Sequence, residues 1–412
     1  MIHNFQLKNG IKCVINVIDG VFSVTSGILV GAGSVLETTA ENGISHFIEH
    51  VNFKGTEKRS AFQISRDTDN LGAQINAFTS KEFTCYYMKS TGEHFAEAFE
   101  ILSDMFVNSV YDENELKKER GVVIEEINMY EDTPDEVATD KLSEAFFGNN
   151  GYGSTILGSI GNVSSFNRKS VLDYKKKYYT TDNIVISIAG AVSVDQAKEL
   201  CEKYFSGIIP SEKSRQPEIN TVNLCRNFSV NKDIEQAHIA LAVEAVPLTG
   251  EYANEFSVIS GALGGGMSSR LFQTVREKLG LCYSVYSYLS SYVMSGCLSV
   301  YAGVGLKNYK EAFDAIMAEI EKLKAEGITE DEFLRTREQI KSTFVLAQES
   351  TASQMILYGK HYLLTGEIFD VTQKLSDINK MTAESVNRVI SERLSFEKMA
   401  TSIVGKGVKP LY

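Results

Sequence analysis

Two histidines and a glutamate in one short segment, His46, Glu49 and His50, are well suited to metal chemistry. On an α-helix, side chains four positions apart lie on the same face, so both imidazoles can reach one point. Glu49 leans toward the same side. Two neutral imidazoles and a nearby carboxylate fit a catalytic zinc ion and a base for its water. The alternative is a surface helix that carries two histidines by chance.

A catalytic zinc site usually has a third protein ligand, and a predicted helix over residues 113–131 offers candidates. Apolar residues at helical spacing predict its buried stripe: Leu116, Val123, Ile127 and Tyr130. Glu119 and Glu126 are seven positions apart, or two turns, and share a face beside this stripe, whereas Glu125 points away. We therefore predict Glu126 as the ligand, with Glu119 in support. The alternative is a solvated acidic face.

The elements that position these residues belong to a duplicated sequence. Three pairs of segments match in order at offsets of 214, 217 and 215 residues: 97–100 with 311–314, 113–120 with 330–337, and 187–190 with 402–405. Matches in register predict tandem repeats of one α/β domain. The second copy has no His-x-x-Glu-His string, and Thr343 stands at the position of Glu126. This difference favours chemistry in the first copy alone.

The repeat predicts a domain over residues 1–209, a linker over 210–220 and a homologous domain over 221–412. Polar residues bounded by Pro210 and Pro217 indicate the linker. Alternating apolar residues predict six strands: 22–31, 83–90, 183–190, 237–246, 283–289 and 296–304. Because the strands come in adjacent runs, we predict an α+β fold of two tandem homologous domains. Each is a mostly antiparallel sheet with helices packed on one face.

Composition excludes several classes of protein. The net charge of −12 disfavours nucleic acid as a partner, and no apolar run reaches the roughly 18 residues that a membrane span needs. The N-terminal residues lack a signal-peptide pattern, so we expect the fold to begin at residue 1. The six scattered cysteines form no Cys-x-x-Cys pair, which favours a reducing, cytoplasmic location.

Four segments closely resemble the insulinase, or mitochondrial-processing-peptidase-like, family of zinc peptidases. They are GISHFIEHVNFKGTEKRS (43–60), INAFTSKEFTCYYM (75–88), ERGVVIEEINMYEDTPDE (119–136) and LGGGMSSRLFQTVREKLGLCYSVYS (263–287). The resemblance covers essentially the whole chain and is to the short, processing-peptidase type of subunit. Asn52 departs from the apolar residue usual in the family and Cys282 from an alanine, which puts helix packing in doubt more than chemistry.

The resemblance implies zinc as the cofactor, with His46, His50 and Glu126 as ligands. Glu49 would be the general base for a zinc-bound water, and Glu119 would support the site from behind the ligands.

The resemblance also implies two substrate-binding features. The segment Asn76, Ala77 and Phe78 matches an edge strand that adds the substrate backbone to the sheet, and Phe78 suggests an apolar subsite near the scissile bond. Arg276 and Tyr283 match a pair that the C-terminal domain extends toward the substrate. Spacing alone favours a solvated arginine and a half-buried core tyrosine instead.

These expectations combine into a zinc-dependent endopeptidase that hydrolyses short or unfolded peptides inside a chamber. Because this chain carries both the zinc motif and the Arg276/Tyr283 pair, the resemblance favours a self-sufficient homodimer. One alternative is a non-catalytic structural or binding subunit of the same family, whose members typically have eroded zinc ligands. Another is a metal-dependent hydrolase of small molecules, which no motif supports.

Overall fold

The structure, a computed structural model, describes residues 1–210, 219 and 221–411. It contains two compact units that are discontinuous in sequence. Unit 1 comprises Met1–Ile127, Thr155–Ile219 and Leu346–Phe369, and unit 2 comprises Asn128–Ser154, Asn220–Val345 and Asp370–Tyr412. The predicted linker, 210–220, lies almost entirely outside the described residues, so the predicted domain boundaries remain a prediction.

The strands form one sheet in each unit. Unit 1 contains β1 (Ile2–Gln6), β2 (Lys12–Val17), β3 (Ser23–Val30), β4 (Gln74–Thr79), β5 (Thr84–Thr91) and β6 (Ile184–Gly190). Unit 2 contains β7 (Asn227–Asn231), β8 (Gln236–Glu244), β9 (Cys282–Ser291), β10 (Gly296–Gly305) and β11 (Ala400–Gly405). Each of the six strands predicted from alternation is present within two residues of its predicted ends.

The helices of the described residues follow the same duplicated order. The first repeat contains α1 (Ile44–Val51), α2 (Ala61–Asn70), α3 (Phe95–Val107), α4 (Glu113–Glu131), α5 (Pro134–Phe147), α6 (Ile160–Ser165), α7 (Arg168–Tyr178) and α8 (Val194–Phe205). The second contains α9 (Ala253–Gly264), α10 (Tyr309–Glu326), α11 (Glu330–Ala347), α12 (Thr351–Thr365), α13 (Val371–Lys380) and α14 (Ala383–Arg393). Among these described helices, none combines the length and apolar character needed to cross a bilayer.

The sheet of unit 2 has the topology of the unit 1 sheet without its first edge strand, β1. The strand orders are β1-β2-β6-β3-β5-β4 in unit 1 and β7-β11-β8-β10-β9 in unit 2. Each sheet has a single parallel pair, β2 with β6 and β7 with β11, and its other pairs are antiparallel. The predicted α+β fold of mostly antiparallel sheets is confirmed, and corresponding strands occupy corresponding places in the two repeats.

In unit 1, one helix lies on the face of the sheet opposite the other helices. Neighbouring side chains of a strand point to opposite faces. In β5, Tyr86 contacts Phe106 of α3, with ring centroids 5.6 Å apart, whereas Cys85 packs in a cluster with Met355 of α12. A Cβ on Gly359 would lie 2.6 Å from a Leu29 methyl carbon. Helix α12 therefore lies directly against the sheet.

The repeats exchange one helix. Helix α12 comes from the second repeat but packs on β3 and β6 of unit 1, and α5 comes from the first repeat but packs on β8 and β11 of unit 2. The two helices are equivalent in the duplicated order. The sequence predicted contiguous domains because an amphipathic stripe indicates that a helix is buried, and does not indicate which sheet buries it.

Candidate metal centre

Helix α1 is anchored at its N-terminus by a buried carboxylate. Gly43 precedes the helix with a φ of 97°, a left-handed conformation that favours glycine. Glu37 accepts hydrogen bonds from the backbone N–H groups of Gly43 and Ser45, each 2.8 Å long. Burial nevertheless raises the pKa of Glu37. These contacts fix the start of the helix that carries His46, Glu49 and His50.

Helix α4 has the bounds and the orientation that its sequence predicts. Leu116, Val123 and Ile127 are buried, and Tyr130 is half-buried. Glu125 is exposed, while the side chain of Glu126 is 27% exposed and lies against α1. The choice of Glu126 over Glu125 as the residue facing the histidines agrees with this placement.

Three potential ligand atoms converge between α1 and α4. Oε2 of Glu126 lies 3.6 Å from Nε2 of His46 and 3.4 Å from Nε2 of His50. Tetrahedral zinc with bonds of about 2.1 Å places its ligand atoms roughly 3.4 Å apart, so the donor set fits one such ion. Within the described part of the chain, this is the one group of three or more His, Cys, Asp or Glu side chains so arranged.

Glu119 lies behind His50. Its Oε1 is 2.9 Å from Nδ1 of His50, and its Oε2 is 2.7 Å from Nζ of Lys54. A carboxylate on Nδ1 holds the proton there and leaves the Nε2 lone pair available to a metal. The sequence predicted a supporting Glu119 but missed Lys54. Its spacing of four residues from His50 places Lys54 on the face of the histidines, but does not pair it with Glu119.

The two histidines carry different charges in this arrangement. Burial, and then the charge of His50, lowers the pKa of His46 to about 4. Burial also opposes the charge of His50, but hydrogen bonds to Glu119 and Glu126 outweigh it and raise the pKa of His50 to about 9. The hydrogen bond with His50 lowers the pKa of Glu126. In the metal-free chain at neutral pH, therefore, protonated His50 and the Glu126 carboxylate form an ion pair at the position of the predicted metal.

Glu49 is held by a hydroxyl from the sheet. Oγ1 of Thr79, at the end of β4, donates a 2.6 Å hydrogen bond to Oε2 of Glu49. Burial raises the pKa of Glu49, against the effect of this hydrogen bond. A carboxylate with a raised pKa beside a metal centre is suited to accept a proton. Thr79 was not predicted, since it comes close to Glu49 only through the packing of α1 on β4.

The predicted edge strand is at the edge of its sheet. Among the described strands, β4 pairs with β5 alone. The Ala77 N–H donates a 2.8 Å hydrogen bond to the side chain of Asn76, which is exposed. Phe78 is half-buried, with its ring 5.6 Å from that of Phe83. The outer side of β4 faces no further strand of the described residues, but the Ala77 N–H is engaged by Asn76, and substrate binding along this side stays a prediction.

Arg276 and Tyr283 are neighbours in unit 2. Arg276 lies in a π-helical segment, Phe272–Lys278, a form often found at functional sites. Its guanidinium carbon lies 4.5 Å from the ring centroid of Phe272 and 5.1 Å from that of Tyr283. Tyr283 is 77% exposed, so it is not the half-buried core residue that an alternating strand favours. A role toward substrate stays a prediction for both residues.

The two departures from the family pattern lie at one buried and one half-buried position. Asn52 is fully buried and accepts a 2.6 Å hydrogen bond from the hydroxyl of Tyr111. Cys282 is half-buried at the start of β9. The Oδ1 of Asn52 therefore has a polar partner, whereas its buried Nδ2 has none among the described residues.

The fold and the site define a duplicated α+β protein with a candidate metal centre in its first repeat, and sequence comparison gives its family. Residues 19–160 match the insulinase family, peptidase family M16, and residues 165–340 match the domain described as the peptidase M16 inactive domain. A protein of Bacillus subtilis named as an uncharacterized zinc protease is 42% identical over 98% of both chains. One of Streptomyces coelicolor, named likewise, is 35% identical over 97% of this chain and 88% of its own. This chain belongs to the insulinase family, peptidase family M16.

Solved structures share the fold. A protease from Helicobacter pylori matches with a TM-score of 0.92 at 22% identity, over 98% of this chain and 99% of its own. A peptidase M16 inactive domain from Pseudomonas fluorescens matches with a TM-score of 0.90 at 17% identity, over 100% of both chains. At these identities the likeness confirms the two-domain architecture alone.

Proposed function

We propose that this protein is a zinc metalloendopeptidase whose zinc is held by His46, His50 and Glu126. The observation that carries the proposal is the convergence of these ligand atoms, all within 4.8 Å of one another, beside the Glu49 carboxylate. The naming of its relatives as zinc proteases supports the same metal and the same class of reaction.

Bound zinc would polarise the scissile carbonyl and make a water molecule more acidic. Glu49 accepts the proton of the attacking water and delivers it to the leaving amine. Thr79 orients the Glu49 carboxylate through its 2.6 Å hydrogen bond. Glu119 keeps the Nδ1 proton on His50, so that Nε2 faces the metal.

The substrate in this proposal is an extended peptide or unfolded polypeptide. Its backbone adds to the outer side of β4 at Asn76 and Ala77, with a side chain beside Phe78. Arg276 and Tyr283 are proposed to hold substrate carbonyls or stabilise the developing oxyanion. If Phe78→Ala leaves the pattern of cleavage sites unchanged, Phe78 does not form a subsite.

We further propose a cytoplasmic homodimer of the processing-peptidase type that encloses its substrate in a chamber. All six cysteines are free thiols, which supports a reducing compartment. The presence of both the metal ligands and the Arg276/Tyr283 pair in one chain supports a homodimer over a division of roles between two gene products. A solution mass equal to that of a monomer would contradict the dimer.

The test is cleavage of a mixed library of short unstructured peptides by the full chain and by Glu49→Gln. We expect the wild type to cleave and the variant to retain zinc while losing about 10²- to 10⁴-fold in rate, the usual contribution of a general base. Wild-type rates in Glu49→Gln would refute the role of Glu49. Zinc binding without cleavage by the wild type would favour a binding subunit instead.

A further inference from the structure

Basic and acidic side chains alternate across the interface between α1 and α4. His46, His50 and Lys54 follow one another at intervals of four residues and face Glu126 and Glu119, which are seven apart on α4. We name these five residues the ladder. Its contacts are His46–Glu126 at 3.6 Å, His50–Glu126 at 3.4 Å, His50–Glu119 at 2.9 Å and Lys54–Glu119 at 2.7 Å. The metal centre is one end of this ladder, and Lys54 is the other.

Lys54 reaches the ladder because the chain stays helical beyond α1. Residues Asn52–Lys54 form a 3₁₀ turn directly after Val51, so Lys54 lies one turn beyond His50 on the same side. The chain then leaves through Gly55, whose φ of 122° is strained for any residue with a side chain. The position of Lys54 is therefore set by the local backbone.

One of the two carboxylate oxygens of Glu119, Oε2, has Lys54 as its ion-pair partner. The Glu119 side chain is only 4% exposed, while that of Lys54 is 30% exposed. Among the described residues, the ion-pair partners of Glu119 are His50 on Oε1 and Lys54 on Oε2. Since an unsatisfied oxygen on a buried carboxylate is costly, loss of the Lys54 contact would let the carboxylate rotate away from His50.

We propose that Lys54 is a positioning residue of the metal centre. It holds the Glu119 carboxylate in the orientation that accepts the Nδ1 proton of His50, so that Nε2 presents its lone pair to the metal. This inference rests on the proposed function, because it requires His50 to be a ligand. Lys54 itself acts through its contact with Glu119.

The test measures the zinc dissociation constant of the full chain by competition with a chromogenic chelator. We expect Lys54→Met to bind zinc about 10- to 100-fold more weakly, the usual effect of losing support behind a ligand. Lys54→Arg should restore most of the affinity, because a guanidinium can still donate to Oε2. The visible spectrum of the cobalt-substituted protein should change in Lys54→Met and return in Lys54→Arg.

Lys118→Met is the matched control. Lys118 pairs with Glu115 at 2.6 Å on the same helix as Glu119, but its side chain is 70% exposed. Exposed pairs contribute little, so zinc affinity should not change. Lys54→Gln replaces Lys54→Met if the latter does not fold, as judged by circular dichroism.

The outcomes separate this inference from the proposed function. Unchanged zinc affinity and an unchanged cobalt spectrum in Lys54→Met, with one zinc bound by the wild type and none by His50→Ala, would overturn the role of Lys54 alone. Full zinc occupancy in His50→Ala, or no zinc binding by the wild type, would overturn both.

Discussion

The two repeats differ most where their equivalent helices meet. In unit 1, α1 and α4 face each other through His50 and Glu119, which are 2.9 Å apart. In unit 2, the residue 217 positions after Glu119 is Thr336, and a Cβ on Gly261 of α9 would lie 2.4 Å from its methyl carbon. The second pair of helices is packed through small side chains, without space for a histidine.

This difference indicates that the ladder is not needed for the fold. Unit 2 keeps the corresponding order of five strands with Thr336 in place of Glu119, and its α11 forms a different ion pair one turn away, Arg270–Glu332 at 2.7 Å. The contrast supports the proposed metal site in unit 1, because the ladder is absent where the metal ligands are absent. The equivalent edge strands, β4 and β9, show a similar contrast. Thr79 of β4 donates a hydrogen bond to the Glu49 carboxylate, whereas Ser287 of β9 donates a 2.6 Å hydrogen bond to the backbone of Ser260.

The largest effect is expected when Glu126 is replaced by threonine, the residue at the equivalent position of unit 2. Glu126→Thr should abolish stoichiometric zinc binding and peptide cleavage while the chain stays folded, because unit 2 is folded with Thr343 at the equivalent position. Metal analysis and circular dichroism measure the two properties. Thr343→Glu is the control: Thr343 is exposed, and this change should alter neither. A Glu126→Thr protein with bound zinc would exclude Glu126 as a ligand.

A smaller effect is expected from pH. Metal binding must displace the His50 proton, whose pKa is about 9, so zinc affinity should rise about tenfold per pH unit up to pH 9 and then level off. In the metal-free chain a rise in pH has the opposite effect, because it lowers the stability that His50 contributes to the fold. His50 stabilises the fold fully below its ordinary pKa of about 6.5, and this contribution is lost as the pH rises through about 9.

Chelator competition between about pH 6 and about pH 8 checks the affinity, with correction for the chelator's own protonation. Glu119→Gln weakens a hydrogen bond that raises the His50 pKa, so its affinity should level off at a lower pH. An affinity independent of pH in the wild type would mean that His50 carries no proton before the metal binds.

The smallest effects concern stability and compare two helical glycines. A Cβ added to Gly121 of α4 would point into open space, with no atom within 4 Å beyond its chain neighbours and the backbone of its own helix, so Gly121→Ala should stabilise the chain by about 0.4–1 kcal/mol. Gly261→Ala should destabilise it by about 1–3 kcal/mol, because its methyl group would clash with Thr336. Urea unfolding of the full chain measures both. Equal effects would contradict the close packing of α9 and α11.

Much of the fold and of the site was predictable because the signals are local. The stripe on α4 follows from helical periodicity, and the same periodicity places Glu119 and Glu126 on one face. Alternation predicted strands such as β3 and β6 for the same reason. Thr79 could not be predicted, because its distance to Glu49 depends on how α1 packs on β4, and no pattern along the chain encodes that distance.

The sequence by itself determined the elements, the duplication, and the placement of the His-x-x-Glu-His string in one repeat, since each depends on spacing along the chain. Only the tertiary structure decided which sheet each exchanged helix covers, and that Lys54 reaches Glu119. Both depend on contacts between segments far apart in sequence: α12 packs on strands of the other repeat, and Lys54 pairs with a residue on another helix. Packing of apolar faces is non-directional, so shape complementarity in the folded chain selects the partner.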